Sequence, residues 1–159
     1  MAAIGDEPGH PFSQAIALQG CCWIDSMRDR KPQVRPRAEK LLAISQQHGF
    51  IFYHGLGMVF AGYALSGSGS DAEAERMMRA GFHDELASNG GLLFHSAYSL
   101  FMGRHHLDAE DIEQARAQAS KGIRIAREHH ELAYLPELQC LYARILHACR
   151  QHGIEAMNT

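Results

Sequence analysis

Histidine is the residue type of this chain best suited to acid–base or metal chemistry near neutral pH, and the chain has 11 histidines. The densest group is His147, Cys149 and His152, whose spacings of two and three residues do not place all three on one helix face. The H-E-x-x-H pattern of helical zinc sites does not occur. The sequence therefore predicts no metal ligands and no cofactor, and we interpret the histidines as surface residues.

The other patterns that carry chemistry are incomplete. Asp25, Asp84 and Glu85 have no neighbouring sequence that marks a nucleophile, and no G-x-S-x-G occurs. Gly55 and Gly57 match part of a dinucleotide-binding loop, but the third glycine is out of register and the flanking residues are large and apolar. No G-x-x-x-x-G-K-[ST] loop occurs. The sequence therefore predicts a protein that is not an enzyme and has no catalytic residues.

Composition and charge favour a helical protein that binds neither nucleic acid nor membranes. The formal charge is −3 and the pI is near 6.4, so no long-range attraction draws the chain to phosphate groups. The β-branched residues that fill sheets are scarce, since valine occurs only at 34 and 59 and threonine only at 159. The uncharged run 49–70 contains His54 and ends in a Ser-Gly stretch. We therefore expect a buried helix there rather than a membrane span.

The cysteines and the N-terminus indicate a cytoplasmic protein. The four cysteines, Cys21, Cys22, Cys140 and Cys149, form no C-x-x-C pair, and no basic region followed by an apolar one opens the chain. Adjacent Cys21 and Cys22 lie in an apolar segment, where we expect them to act as small hydrophobic residues with free thiols.

Aromatic and aliphatic residues recur with a period of about 40 residues, which is the length of a helical hairpin. Within each repeat they are spaced by four, three and four positions, so they form one face of a helix. The four columns are Phe12, Phe52, Phe94 and Tyr134; Ile16, Leu56, Tyr98 and Leu138; Gln19, Val59, Phe101 and Leu141; and Trp23, Tyr63, His105 and Ile145. A fifth column contains only small residues and predicts where a second helix approaches closely: Cys21, Ala61, Gly103 and Ala143.

Amphipathic segments between these apolar helices predict the second helix of each hairpin. They are 33–48, which ends before Gly49, 71–89 and 108–130, the last two beginning at aspartates suited to N-capping. The final helix, 134–151, directs Leu138, Leu141 and Ile145 inward. The result is an all-α fold of about seven helices, comprising three hairpins and a capping helix.

The domain organisation follows from these segments. The length of 159 residues is sufficient for one domain with a sizeable core. We expect a flexible N-terminal extension at 1–9, a helical repeat domain at 10–152 and a tail at 153–159.

Four segments resemble tetratricopeptide-type repeats: HPFS at 10–13, RAEKLLAI at 37–44, GYAL at 62–65 and EQAR at 113–116. The version most similar to this chain has long helices and lies at the C-terminal end of large bacterial ATPase-coupled adenylate or guanylate cyclases and of regulators related to the maltose-operon activator. The resemblance spans about residues 10–150. It implies a right-handed α-solenoid of TPR-like hairpins in a bacterial signalling protein, and no catalytic residue is transferred with it.

Repeat solenoids bind partners on the concave surface formed by their first helices. The non-core edges of those helices carry Tyr53, His54, His95, Ser99 and Arg104, and Arg104 could hold a carboxylate by paired hydrogen bonds. These are the predicted binding residues, with a protein or peptide as the expected partner.

Two alternative functions and one oligomeric state remain open. One alternative is a small-ligand sensor with a pocket between first helices near Tyr53, Met58 and Tyr98, and the other is a histidine-dependent metalloprotein. A homodimer is a further expectation, because apolar helices at the ends of short arrays associate.

Overall fold

A computed structural model describes residues 9–89 and 94–157, with side chains for 9–88 and 94–150. The described residues form an all-α structure that contains no strand and includes seven α-helices, as predicted. These are α1 (Pro11–Met27), α2 (Lys31–His48), α3 (Ile51–Leu65), α4 (Asp71–Ala80), α5 (His95–Asp108), α6 (Ile112–Glu128) and α7 (Leu135–Met157).

The chain forms two compact units, Met1–Leu92 and Leu93–Thr159. In the first unit, α3 packs against α1, α2 and α4, and in the second unit α5, α6 and α7 pack against one another. The helices α3 and α5 are each buried over more than half of their residues. The prediction that the first helix of each hairpin is buried is therefore confirmed for α3 and α5 but is wrong for α1, which buries five of its 17 residues.

The apolar run that includes Gly55 and Gly57 forms α3, a helix of 15 residues. The two glycines lie inside this helix, so the segment is not the strand, loop and helix that a dinucleotide fingerprint requires. No helix in the described ranges is long and apolar enough to cross a membrane.

Two predicted helices differ from the observed ones. The segment 71–89 is α4 only as far as Ala80; a π-helix, Gly81–Leu86, and a short 3-10 turn, Ala87–Asn89, follow. The sixth helix begins at Ile112 rather than at residue 108, because Asp111 is its N-cap and accepts a hydrogen bond from the Gln114 backbone amide at 3.1 Å.

The remaining boundaries are close to the predictions. The helix α2 begins two residues early and ends at Gly49, whose φ of 69° is the left-handed conformation of a C-terminal glycine. The helix α7 continues to Met157. It buries Leu138, Leu141 and Ile145, as predicted.

Glycines mark the closest approach of the helices within each unit. A Cβ at Gly62 would lie 2.6 Å from the Ala74 carbonyl oxygen, and a Cβ at Gly103 would lie 2.8 Å from Leu141 Cδ2. Gly62 and Gly103 are separated by the same number of residues as Gly81 and Gly122. Gly81 and Gly122 are also crowded by neighbouring helices. The close contacts therefore repeat from unit to unit.

The predicted column of small residues holds only in part. Gly103 is crowded as predicted, whereas Ala143 is exposed, and in the first unit the crowded glycine is Gly62, one position after Ala61. The crowded glycines of α3 and α5, Gly62 and Gly103, are one position closer together in sequence than Phe52 and Phe94 are. Aligning the repeats on their aromatic residues therefore displaced the small column by one position.

Candidate functional site

The predicted binding residue His54 forms a hydrogen-bonded pair with Glu85. Its Nδ1 lies 2.9 Å from Glu85 Oε1 and 2.8 Å from Oε2, and both side chains are partly buried. A carboxylate only accepts hydrogen bonds, so Nδ1 carries the proton and donates it. The pair therefore fixes the orientation of the ring and leaves Nε2 as the nitrogen that can meet a ligand.

The pair exists because α3 and the π-helix approach closely at glycines. A Cβ at Gly81 would lie 2.5 Å from the Gly55 carbonyl oxygen, and a Cβ at Gly55 would lie 2.9 Å from Glu85 Cβ. The absence of side chains at both positions permits this contact, which places Glu85 next to His54. Single turns of π-helix are frequent at functional sites.

An open cleft of about 300 Å³ lies beside this pair. Its lining residues are Ser45, Gln46, Gly49, Ile51, His54 and Glu85. Ser45 is 1% exposed, and its hydroxyl makes no hydrogen bond with the described residues, whereas Ile51 at the rim is 56% exposed. The cleft therefore has an exposed apolar rim at Ile51 and the partly buried His54–Glu85 pair at its wall, while the Ser45 hydroxyl is enclosed.

The residue types Ser45, His54 and Glu85 are those of a hydrolase triad, but Ser45 is not hydrogen-bonded to His54. An activated serine is hydrogen-bonded to its histidine base. The Ser45 hydroxyl has no such bond to His54, whose side chain is among those described. The three side chains therefore do not form the hydrogen-bonded chain of a hydrolase triad.

Aromatic side chains cluster at the start of α3, around the predicted residue Tyr53. Its ring lies edge-on to Phe12 at 5.4 Å and to Phe52 at 5.4 Å between centroids. Phe50 is 5.5 Å from Phe12 and stacks on His48 at 5.6 Å. The cluster is partly exposed, with Phe12 at 42%.

The other three predicted residues lie in the second unit. His95 opens α5 and is half-buried, while Ser99 is fully buried, with its Cβ 3.0 Å from the position of a Cβ at Gly122. Arg104 is half-buried and lines a recess of about 150 Å³ that also includes Arg144. Ser99 therefore lies inside the packing of the second unit, and Arg104 lies at its surface.

A second polar region of the first unit holds the α1–α2 and α3–α4 turns together. The Tyr63 hydroxyl donates to Asp29, and Lys31 Nζ lies 5.3 Å from the centre of the Tyr63 ring. Lys31 also donates to the Ser66 carbonyl at 3.1 Å. These contacts anchor the start of the Ser-Gly loop, so we assign this region a structural role.

Near the end of α1, Asp25 is 8% exposed and pairs with Arg37 on α2. Burial raises the pKa of the neighbouring Cys22 thiol to about 12, against a smaller opposing effect of Arg37. Cys22 therefore behaves as a small hydrophobic residue, as predicted.

In the group considered for a metal, His147 is exposed and Cys149 is half-buried on α7. The side chain of His152 lies outside the described residues.

Sequence reasoning identified Tyr53 and His54 but not Glu85 or Ser45 as their neighbours. Glu85 is 31 residues from His54 in sequence and reaches it through a π-helix, which periodicity does not predict. A useful signal was available in Gly81, four residues before Glu85, since a glycine within a helix often marks close approach of another backbone.

Comparison with known proteins gives no relative: no family model, no curated protein and no solved structure matches this chain.

Proposed function

We propose that this chain is a non-catalytic binding module that recognises a protein or peptide segment at the start of α3. We name this region the α3 surface and define it by His48, Phe50, Ile51, Tyr53 and His54. The observation that carries the proposal is the partly exposed aromatic cluster beside an open cleft. Protein-binding surfaces are enriched in such aromatic anchors and depleted in charge at their centre.

The α3 surface and the cleft suggest which chemistry a partner presents. Ile51 and the aromatic rings offer apolar area for a hydrophobic side chain. Beside them, the partly exposed His54 ring offers a hydrogen bond to a polar group. The best fit is a peptide segment with an apolar side chain next to a hydrogen-bonding group.

We place this module among TPR-like helical repeats, arranged as a right-handed α-solenoid. The support is the hairpin-length period of the sequence, together with crowded glycines that recur at one constant offset in the two units. The resemblance in the sequence extends the proposal to a bacterial cytoplasmic signalling protein, as part of or partner to a cyclase, an ATPase or a transcriptional regulator. In such a protein, binding at the module would change the assembly of an associated domain.

The test begins with a random peptide library displayed on phage and selected on the wild-type chain. We expect Tyr53→Ala together with His54→Ala to weaken binding of the selected peptides by at least about tenfold, as loss of anchor residues does. Leu146→Ala, which alters an exposed leucine of the second unit, is the matched control. Selected peptides that bind the double variant as tightly as the wild type would refute the α3 surface as the site.

The same peptides test the predicted residues of the second unit. If His95→Ala with Arg104→Ala leaves the affinity unaltered, those two residues take no part in binding these peptides. A loss confined to this second double variant would transfer the site to the second unit.

A small-ligand sensor is the second candidate, and the cleft of about 300 Å³ beside His54 and Glu85 favours it. This cleft lies between α2, α3 and the π-helix rather than between first helices. A metabolite that binds there raises the melting temperature by mass action. A thermal-shift screen in which a hit loses its effect on His54→Ala supports the sensor, whereas a screen without hits counts against it.

A further inference from the structure

The outer face of α1 carries large apolar side chains that the described structure leaves exposed. Phe12, Ile16 and Ile24 are 42%, 45% and 55% exposed. Together with Gly20 they are spaced by four residues, which forms a ridge along a helix. A Cβ at Gly20 would meet no atom within 4 Å, so this glycine also faces outward. We call these four residues the α1 stripe.

The equivalent positions of the next repeat behave differently. In the aligned columns, Leu56 corresponds to Ile16 and Phe60 corresponds to Gly20, and they are 1% and 0% exposed. The helix α1 contributes to this burial, since Trp23 lies edge-on to Phe60 at 5.5 Å. Within the described part of the first unit, α1 thus covers α3, while the outer face of α1 itself remains exposed.

The pattern and charge of the stripe point to a second copy of this chain as the partner. Asp25 is the only Asp, Glu, Lys or Arg in α1, and it is buried and paired with Arg37. Two copies of this face therefore meet without repulsion between like charges. Gly20 also lies midway between Ile16 and Ile24, so the surface is self-complementary about a two-fold axis, which is the symmetry of most homodimers.

We propose that the α1 stripe is the interface of a homodimer in which two α1 helices cross in antiparallel orientation at Gly20. The missing side chain lets the two backbones approach at the crossing point. On either side, Ile16 of one copy packs against Ile24 of the other. The four-residue spacing is that of the ridges which interdigitate in the commonest class of helix packing in globular proteins.

Sedimentation equilibrium of the full chain tests the proposal. We expect the wild-type mass to rise from 17.7 kDa toward twice that value as the protein concentration increases, with a dissociation constant below about 100 µM. Gly20→Arg places a charge at the crossing point, and its Cβ would have no atom within 4 Å outside the backbone of its own helix. We expect this variant to weaken association at least about tenfold.

Ile24→Ser is a second variant, and it should weaken association in the same direction without adding charge. Leu146→Arg, at an exposed leucine of α7, is the matched control and should dimerise like the wild type. A wild-type chain that stays monomeric throughout, or a dimer that Gly20→Arg and Leu146→Arg affect equally, overturns the proposal. Gly20 and Ile24 lie outside the α3 surface, so failure here is separate from failure of peptide binding.

Discussion

Single glycines set the distance between neighbouring backbones in this protein. Gly81 and Gly55 face each other across the contact between α3 and the π-helix, and Gly20 faces open space. Within a single chain, the same residue type therefore has opposite effects on stability: Gly81 permits packing, whereas Gly20 weakens helix propensity.

We expect Gly81→Ala to destabilise the protein by about 1–3 kcal/mol, because its Cβ would meet backbone 2.5 Å away. Gly20→Ala is the matched control and should stabilise by up to about 1 kcal/mol. Urea unfolding at a low protein concentration, where self-association does not contribute, measures both. Equal effects of the two substitutions would contradict this account of the glycines.

Cys22 gives a second prediction at this scale. Its folded pKa of about 12 lies above the ordinary 9.0, so the thiol stabilises the fold fully below pH 9 and loses that contribution as the pH rises toward 12. We expect iodoacetamide at pH 8 to alkylate the exposed Cys140 and to spare Cys22 until the protein is unfolded. Peptide mass spectrometry checks this, and modification of Cys22 at the rate of Cys140 would contradict it.

At the scale of elements, the helix ends show which features of the fold can be predicted from the local sequence. The Gly49 C-terminus followed from residue type alone, because a left-handed conformation favours glycine. The start of α6 was misplaced, because Asp108 and Asp111 are equally good caps by type and only the turn between them decides. The π-helix was missed because an amphipathic pattern gives no sign of a change in helix type.

The cap of α6 is testable. We expect Asp111→Ala to lower the free energy of unfolding by about 1 kcal/mol, since it removes the acceptor for the Gln114 amide. Ser70→Ala, at the N-cap of α4, is the control, because the Ser70 side chain makes no capping bond. Denaturant titration of both variants measures the difference, and losses of equal size would argue against this assignment of the cap.

At the scale of the whole molecule, the two units share one design in which a central helix is the most buried. Composition and the hairpin-length period were sufficient to predict the seven helices and the burial of α3 and α5. The candidate cleft was only half predictable. His54 lies on a recognisable helix edge, but its partner Glu85 depends on a tertiary contact between two glycines.

Hydrogen exchange of the backbone amides measures directly which helix of each unit is the most protected. We expect the slowest amides of the first unit in α3 and those of the second unit in α5, since these helices bury more of their residues than α2 and α6 do. Amphipathic α2 and α6 serve as internal references. Slower exchange in α2 than in α3 would contradict the central position of α3.

The claim that the α3 surface binds a peptide is tested most directly by an NMR titration. ¹⁵N-labelled wild-type chain is titrated with a peptide selected on it, and amide shifts are followed residue by residue. The account predicts that the largest changes fall at Ser45, Gly49, Ile51 and His54, which line the cleft. Changes confined to residues 94–150, or no saturable change at all, would contradict it.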